Sequence, residues 1–317
     1  MRTLDLFCGA GGLSLGLHRA GFDVALALDS WPVAVKVHAE NLPGEAKVFD
    51  LSDEDGAVAL VRERMGHVDV VVGGPPCQDA SSAGLRIEGI RSGMTTAFAR
   101  IAVRLDPRFV VMENVAAAKK TRSYAEARSV LKEAGYGLTE VVLDASLCGT
   151  PQARDRFFCI GGRNEVDGFL DVELARHLAA EQMTLRQYAD AHGCVLGFDH
   201  YYRHPRTYQR RGIFSVDEPA PTMRGVNRPV PPTYKQHEGD TEEHSKVRQL
   251  TYAERAFVQT FPDDWNWGKH TNKSNLEQLI GNAVPPKLGE FVGAALMRYA
   301  RRNAFADFVI TSDAAIA

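Results

Sequence analysis

Residues Gly73 to Ser81 read GGPPCQDAS and follow directly on the apolar run Val68-Asp69-Val70-Val71-Val72. A cysteine set behind two prolines at the carboxyl end of a buried strand is a candidate nucleophile, because the stiff turn fixes the sulfur at the mouth of an α/β sheet. A second segment, DLFCGAGGLSLGL from Asp5, places glycines at 9, 11, 12 and 16 between a strand and a helix. Such a turn lets backbone approach a ligand closely, and a helix N-terminus offers amides to a carboxylate or phosphate. The spacing is not the G-x-G-x-x-G dinucleotide fingerprint. Asp29 ends the second strand about 20 residues on, where an acidic residue accepts hydrogen bonds from ribose hydroxyls. Gln152, Arg154 and Arg156 alternate, so on an extended segment they share a face, and a cation near Cys77 would lower its pKa.

The elements that must hold these residues follow from periodicity. Thr3–Phe7, Val24–Leu28, Ala46–Phe49, Val68–Val72 and Phe109–Met112 read as strands, with helical patterns near 12–20, 32–41, 53–66, 93–105 and 122–134 between and after them. Leu138–Leu143 and Phe157–Ile160 add two more strands, which gives a doubly wound, mostly parallel sheet of Rossmann-like α/β class. Gly21 and Gly135 suit helix C-caps and Pro32 suits a first helical turn. After Gly161-Gly162-Arg163 the alternation stops. A helical stretch near 171–192 leads into a loop-rich region dense in Pro, Arg and Tyr. Thr251-Tyr252-Ala253-Glu254 is a capping box that restarts helix, and the chain ends with an amphipathic helix of about 286–301. The expected division is a first domain over 1–162, a second over 163–275, a returning segment over 276–303 and a loose tail over 304–317.

Composition narrows the class. The five cysteines are odd in number and form no C-x-x-C pair, so neither a disulfide framework nor a zinc or other metal site is expected. No run approaches the roughly 18 apolar residues of a membrane span, and Met1 to Asp5 lacks the regions of a signal peptide, so a cytoplasmic, nucleoid-associated protein is expected. The net charge of −3 is unusual for a nucleic-acid binder, but its distribution is uneven. Between Arg203 and Lys235 stand Arg206, Arg210, Arg211, Arg224 and Arg228 against only Asp217 and Glu218, with tyrosines interleaved. Such a stretch can track a phosphate backbone, although a solvated loop would look the same.

Taken in chain order, DLFCGAGG at 5–12, PPCQ around Cys77, ENV at 113–115, QARDR at 152–156 and IGNAVPP at 280–286 closely resemble the motif series of the cytosine carbon-5 DNA methyltransferases of bacterial restriction-modification type. The resemblance implies S-adenosylmethionine as cofactor, with S-adenosylhomocysteine as its product. It implies Phe7 against the adenine, Gly9, Gly11 and Gly12 at the methionine portion, Asp29 at the ribose and Asp50 at the adenine amino group. Pro75, Asn282 and Val284 complete that expected set. It further implies Cys77 as the nucleophile on carbon 6 of cytosine and Glu113, beside Asn114, as the group that meets ring nitrogen N3. Arg154 would contact the cytosine and the thiolate, and Arg156, with Gln152, would support the loop. The partner is duplex DNA, gripped by Gln78 and Ser81 and by the second domain through Arg203, Arg210, Arg211, Arg224 and Arg228. Arg224 and Arg228 are the expected base readers, and Arg210 and Arg211 the phosphate contacts. A monomer is expected, with a companion endonuclease that need not touch it. Two departures stand out: Ala80 replaces an aromatic residue ahead of the motif serine, and the following motif is degenerate at Arg91-Ser92-Gly93-Met94. A transfer-RNA cytosine methyltransferase, a DNA-binding protein with a silent catalytic domain and a small-molecule methyltransferase remain as alternatives.

Overall fold

The computed structural model describes residues 1–76, 93–205, 207, 209–269 and 271–314, with side chains through Asn303. Cys77, Gln78, Ala80, Ser81, Arg91, Ser92 and Arg206 lie outside the described residues.

Strands β1 (Arg2–Leu6), β2 (Asp23–Asp29), β3 (Glu45–Val48), β4 (Val70–Gly73) and β5 (Phe109–Val115) alternate with helices α1 (Gly12–Arg19), α2 (Pro32–Asn41), α3 (Glu54–Met65) and α4 (Met94–Leu105). Helix α5 (Arg122–Glu133), β6 (Tyr136–Asp144), the two-residue β7 (Gln152–Ala153) and β8 (Asp155–Arg163) follow. The seven-stranded sheet has the order β3-β2-β1-β4-β5-β8-β6. Its first five strands are parallel, and β8 runs antiparallel between β5 and β6.

The continuous apolar run of β4 is explained by burial on both faces. Val71 lies on one side in a cluster with Leu4, Leu6, Phe98 of α4 and Leu131 of α5. Val70 and Val72 point the other way. They meet Leu13 and Leu17 of α1, and Leu288, Val292 and Leu296 of the last helix, α10 (Pro286–Ala314). Helices α1 and α10 approach too closely for side chains at their crossing. A Cβ at Gly12 would overlap the Val284 carbonyl oxygen, and one at Gly16 the Pro286 carbonyl oxygen. Gly12 and Gly16 thus admit the close approach of the returning chain.

Beyond β8 the chain forms α6 (Asp171–His177) and α7 (Leu185–Ala191), then β9 (His200–Tyr202), β10 (Ile213–Ser215) and β11 (Ala220–Pro221). The single helical stretch expected near 171–192 is two short helices, separated where Leu178 leaves helical geometry. Strands β9 and β10 pair antiparallel, whereas β11 pairs parallel with β7, Ala220 opposite Gln152. Leu185, Tyr201, Phe214, Val216, Met223 and Leu250 form the core of this region.

Helix α8 (Tyr252–Val258) starts at the expected capping box, and α9 (Lys273–Asn282) runs through the boundary expected at 275. Phe261, Trp265, Leu279 and Ile280 pack on Ala10, Leu15, Ala34 and Leu42, so this segment covers the glycine turn of the first half. Helix α10 continues to Ala314, beyond the point where the sequence suggested a tail.

Candidate active site

The turn after β1 is held by unusual backbone and by one carboxylate. Phe7, Gly9 and Gly11 all have positive φ, of 61°, 54° and 87°. For Phe7 this conformation is costly, and its ring offsets the cost by packing on the sheet's first hydrophobic cluster. Asp29 Oδ2 accepts from Gly9 N at 2.9 Å and Oδ1 from Trp31 N at 2.8 Å. One side chain thus ties the glycine turn to the start of α2. Burial raises the Asp29 pKa, and the donating amides work against that shift. A Cβ at Gly9 would meet open space, and no side chain caps the N-terminus of α1, so the turn is a cradle with room at its mouth. These features fit a small anionic or zwitterionic ligand edge. Asp50 is exposed and accepts from Ser52 N at 3.0 Å, a bond that lowers its pKa. Val284 closes on Gly12 from behind, and the exposed Asn282 lies within reach of Gly225.

Beneath the cradle runs a buried polar chain that sequence reading missed. Ser14 Oγ bonds Asp5 Oδ2, and His38 Nε2 lies 3.0 Å from the same hydroxyl. Burial raises the Asp5 pKa to about 7 and lowers that of His38 to about 4. The available signal was Asp5 itself, a carboxylate inside an otherwise apolar strand.

At the next strand the chemistry-bearing residues converge. Asn114 Nδ2 donates to Pro75 O at 3.0 Å, which fixes the base of the segment leading to Cys77. Glu113 is 7% exposed, and a Cβ at Gly74 would stand 3.1 Å from its Oε2, so glycine there leaves room for the carboxyl. Both residues belong to β5, inside the strand rather than just after it. Arg156 Nε meets Glu113 Oε1 at 2.9 Å. Burial raises the Glu113 pKa, and the Arg156 and Arg154 charges oppose it.

The two arginines divide their work differently from the expectation. Arg154 is 1% exposed and donates to three carbonyls: Met223 O at 2.9 Å, Gly281 O at 3.0 Å and Ala283 O at 3.0 Å. It joins the second region and the returning segment to the sheet, and it is Arg156 that reaches the acid. The cause is local: β7 ends at Ala153 and β8 begins at Asp155, so Arg154 sits in the break and simple alternation does not carry across it. Gln152 is likewise a buried connector, donating to Gln259 Oε1 at 2.7 Å and accepting from Met223 N at 2.8 Å. Gln259 passes the link on to Ile280 O at 2.5 Å. No periodic signal marked Gln259, whose role exists only in the folded chain.

Among the expected DNA contacts, Arg211 is bound bidentately to Glu218 and lies 4.4 Å over the Phe214 ring. Its guanidinium is occupied in holding β10, so a phosphate role would have to displace Glu218. Arg224 donates to His204 O and is partly buried. Arg203 donates to Thr222 O at 2.7 Å. Arg210 and Arg228 are exposed. Among the described residues no His, Cys, Asp and Glu cluster could hold a metal ion, and no helix is long and apolar enough to cross a membrane.

A mostly parallel sheet whose glycine cradle and buried acid sit at the carboxyl ends of β1, β2 and β5, flanking the switch point between β1 and β4, defines a class I methyltransferase fold. Residues 1–298 match the family model for C-5 cytosine-specific DNA methylases, and the chain belongs to that family. It is 46% identical over 300 residues to the Type II methyltransferase M.HgiDI of Herpetosiphon aurantiacus, covering 94% of this chain and 95% of that one. It is 44% identical over 302 residues to the Type II methyltransferase M.HindV of Haemophilus influenzae, covering 94% and 97%. The S. pombe Dnmt2 methyltransferase shares the fold, with a TM-score of 0.68 at 19% identity over 94% of this chain and 98% of that one. The protein is therefore an enzyme that methylates carbon 5 of cytosine in DNA, and its family uses S-adenosylmethionine.

Proposed function

We propose that this enzyme flips a cytosine out of a short duplex site and methylates it through a covalent adduct of Cys77. The target atom is inaccessible inside a stacked duplex, so extrusion must precede chemistry. The thiolate of Cys77 adds to carbon 6, and the carbon 5–carbon 6 π electrons move onto carbon 5 while Glu113 hydrogen-bonds N3. When bound, S-adenosylmethionine supplies the electrophilic methyl group that carbon 5 accepts, leaving as S-adenosylhomocysteine. A base or water then takes the carbon-5 proton, and breaking the sulfur–carbon 6 bond restores the double bond and frees Cys77. Arg156 orients Glu113 and balances its charge, and Asn114 anchors the cysteine segment through Pro75. Phe7, Gly9, Gly11 and Gly12 would hold the cofactor, with Asp29 as acceptor for its ribose, Asp50 for its adenine, and Pro75, Asn282 and Val284 completing the set. Asp29 Oδ atoms already accept amide hydrogens, but each carboxylate oxygen has capacity for a second donor.

The observation that carries this reading is the meeting of three separate motifs at one point: Asn114 on Pro75, and Arg156 on Glu113, beside Gly74. We further propose that the enzyme acts as a monomer in the cytoplasm, at the nucleoid, and protects a site cut by a companion endonuclease, by analogy with the Type II methyltransferases it resembles. Duplex containing 5-fluorocytosine tests the chemistry, because fluorine cannot leave as a proton. The wild type is expected to form a covalent DNA adduct and Cys77→Ala none. Turnover by Cys77→Ala, or an adduct with that variant, overturns the assignment.

A further inference from the structure

The segment from Thr222 to Arg228 is strapped down along one side. Its first three carbonyls are each taken by a different arginine: Thr222 O by Arg203 at 2.7 Å, Met223 O by Arg154 at 2.9 Å, and Arg224 O by Arg255. Asn227 continues the strap, its backbone N–H donating to Glu277 Oε2 at 3.0 Å and its Nδ2 to Leu250 O at 2.7 Å. Asn227 therefore faces inward. In extended chain, neighbouring side chains point to opposite faces, so Val226 and Arg228 face outward together. Pro229 favours that extended geometry at Arg228. Exposure agrees: Val226 is 59% exposed and Arg228 is exposed, with Asn227 between them half-buried.

We infer that Val226 and Arg228 form a two-residue reading head for the major groove, with Arg228 on a guanine and Val226 on the carbon-5 edge of a pyrimidine. This rests on the reading that the second region contacts DNA. Arg pairs bidentately with guanine O6 and N7, and an aliphatic side chain discriminates by contact with the thymine methyl or the equivalent edge of cytosine. A rigid strap is what such readout needs, since recognition by a methyl-sized contact is lost if its support can shift. The two Cα atoms are about 6.6 Å apart in extended chain, and base pairs rise about 3.4 Å, so the positions read lie within about two base pairs of one another.

Methylation of a plasmid library of randomised sites, read by bisulfite sequencing, tests this with Val226→Ala, Arg228→Ala and Arg210→Ala. Arg228→Ala is expected to relax the choice at one position by about 5- to 100-fold, and Val226→Ala to relax a second position, within two base pairs, by about 3- to 10-fold. Both side chains are exposed, so thermal midpoint and cofactor affinity should stay at wild-type values. An unchanged profile with Val226→Ala, or relaxed positions further apart, overturns the assignment. If Arg210→Ala alone changes the profile, the second region reads DNA by other residues. If all three variants lose rate uniformly with no change in profile, the second region positions DNA without reading it through these residues, which overturns the reading head; if none of the three changes rate, profile or DNA affinity, the broader reading of that region fails as well.

Discussion

Replacing Arg154 and Arg156 separately by Met should give opposite phenotypes, which follows from where each guanidinium ends. Arg154→Met keeps the aliphatic volume but strands the carbonyls of Met223, Gly281 and Ala283, now bonded at 2.9, 3.0 and 3.0 Å. An abandoned buried acceptor costs about 1 to 3 kcal/mol. Gln259 Nε2 still reaches Ala283 O at 3.3 Å, so one of the three keeps a partner. The two stranded acceptors together cost about 2 to 6 kcal/mol, and recovered desolvation of the buried cation brings the net loss to about 1 to 5 kcal/mol. Domains of this kind hold about 5 to 15 kcal/mol in all, so this variant should be marginal. Arg156→Met removes the cation from Glu113, but the carboxyl can take up a proton instead of remaining as an unpaired charge, which limits the loss to about 1 to 3 kcal/mol. Its effect falls on chemistry. A misplaced acid should slow single-turnover methyl transfer about 10²-fold. Because the Arg156 charge holds the Glu113 pKa down against burial, its removal moves the corresponding limb of the pH–rate profile to higher pH. Urea unfolding and single-turnover rates on folded protein separate the two outcomes. A stable Arg154→Met enzyme with no turnover, together with an unfolded Arg156→Met, would refute this division of roles.

Two further outcomes concern the cofactor turn. Asp29→Ala releases Gly9 N and Trp31 N from one carboxylate, and calorimetry should find S-adenosylmethionine affinity reduced roughly tenfold or more with DNA affinity unaltered; unchanged cofactor affinity would leave Asp29 only its capping role. The buried Asp5–Ser14–His38 chain should make stability depend on pH with opposing signs: His38, lowered to about 4, loses its contribution as pH falls from 6.5 toward 4, while Asp5, raised from 3.8 to about 7, loses its contribution as pH rises across 4 to 7. Asp5→Asn should therefore show stability rising with pH between 4 and 6.5, and His38→Gln stability falling with pH between 4 and 7; parallel profiles for the two variants would exclude the assignment.

Much of the first half was legible because its strands are buried on both faces and its helices on one, so hydrophobic period alone marks them. All seven strands of the sheet were anticipated within a few residues, as were the capping box at Thr251 and the C-cap glycines at 21 and 135, which adopt φ of 92° and 86°. The second region was not legible in this way. Its order comes from side chains on backbone, as where the Asp240 carboxylate accepts from Gly212 N, Ile213 N, His237 N and Tyr234 Oη. Such bonds have no period, and the arginines that make them look the same in sequence as arginines facing DNA. Sequence therefore does not show that Arg211 is bonded to Glu218 and Arg224 to His204 O.

The same ambiguity explains how the enzyme joins recognition to chemistry. A charge excess between Arg203 and Lys235 does not measure the charge offered to DNA, since Arg203, Arg211 and Arg224 are engaged within the protein. What these internal arginines supply is distance control. Through Arg154 and Gln152, the segment that carries Val226 and Arg228 is bonded to the same backbone, residues 152–156, that delivers Arg156 to Glu113. Few rotatable bonds separate the strapped segment from the acid. Where that segment holds a base pair and Glu113 a cytosine, as proposed, the two are constrained together, and a register error of one base pair, about 3.4 Å, cannot be absorbed by bending a linker. On the proposed reading, fidelity depends on the buried connectors as much as on the exposed readers.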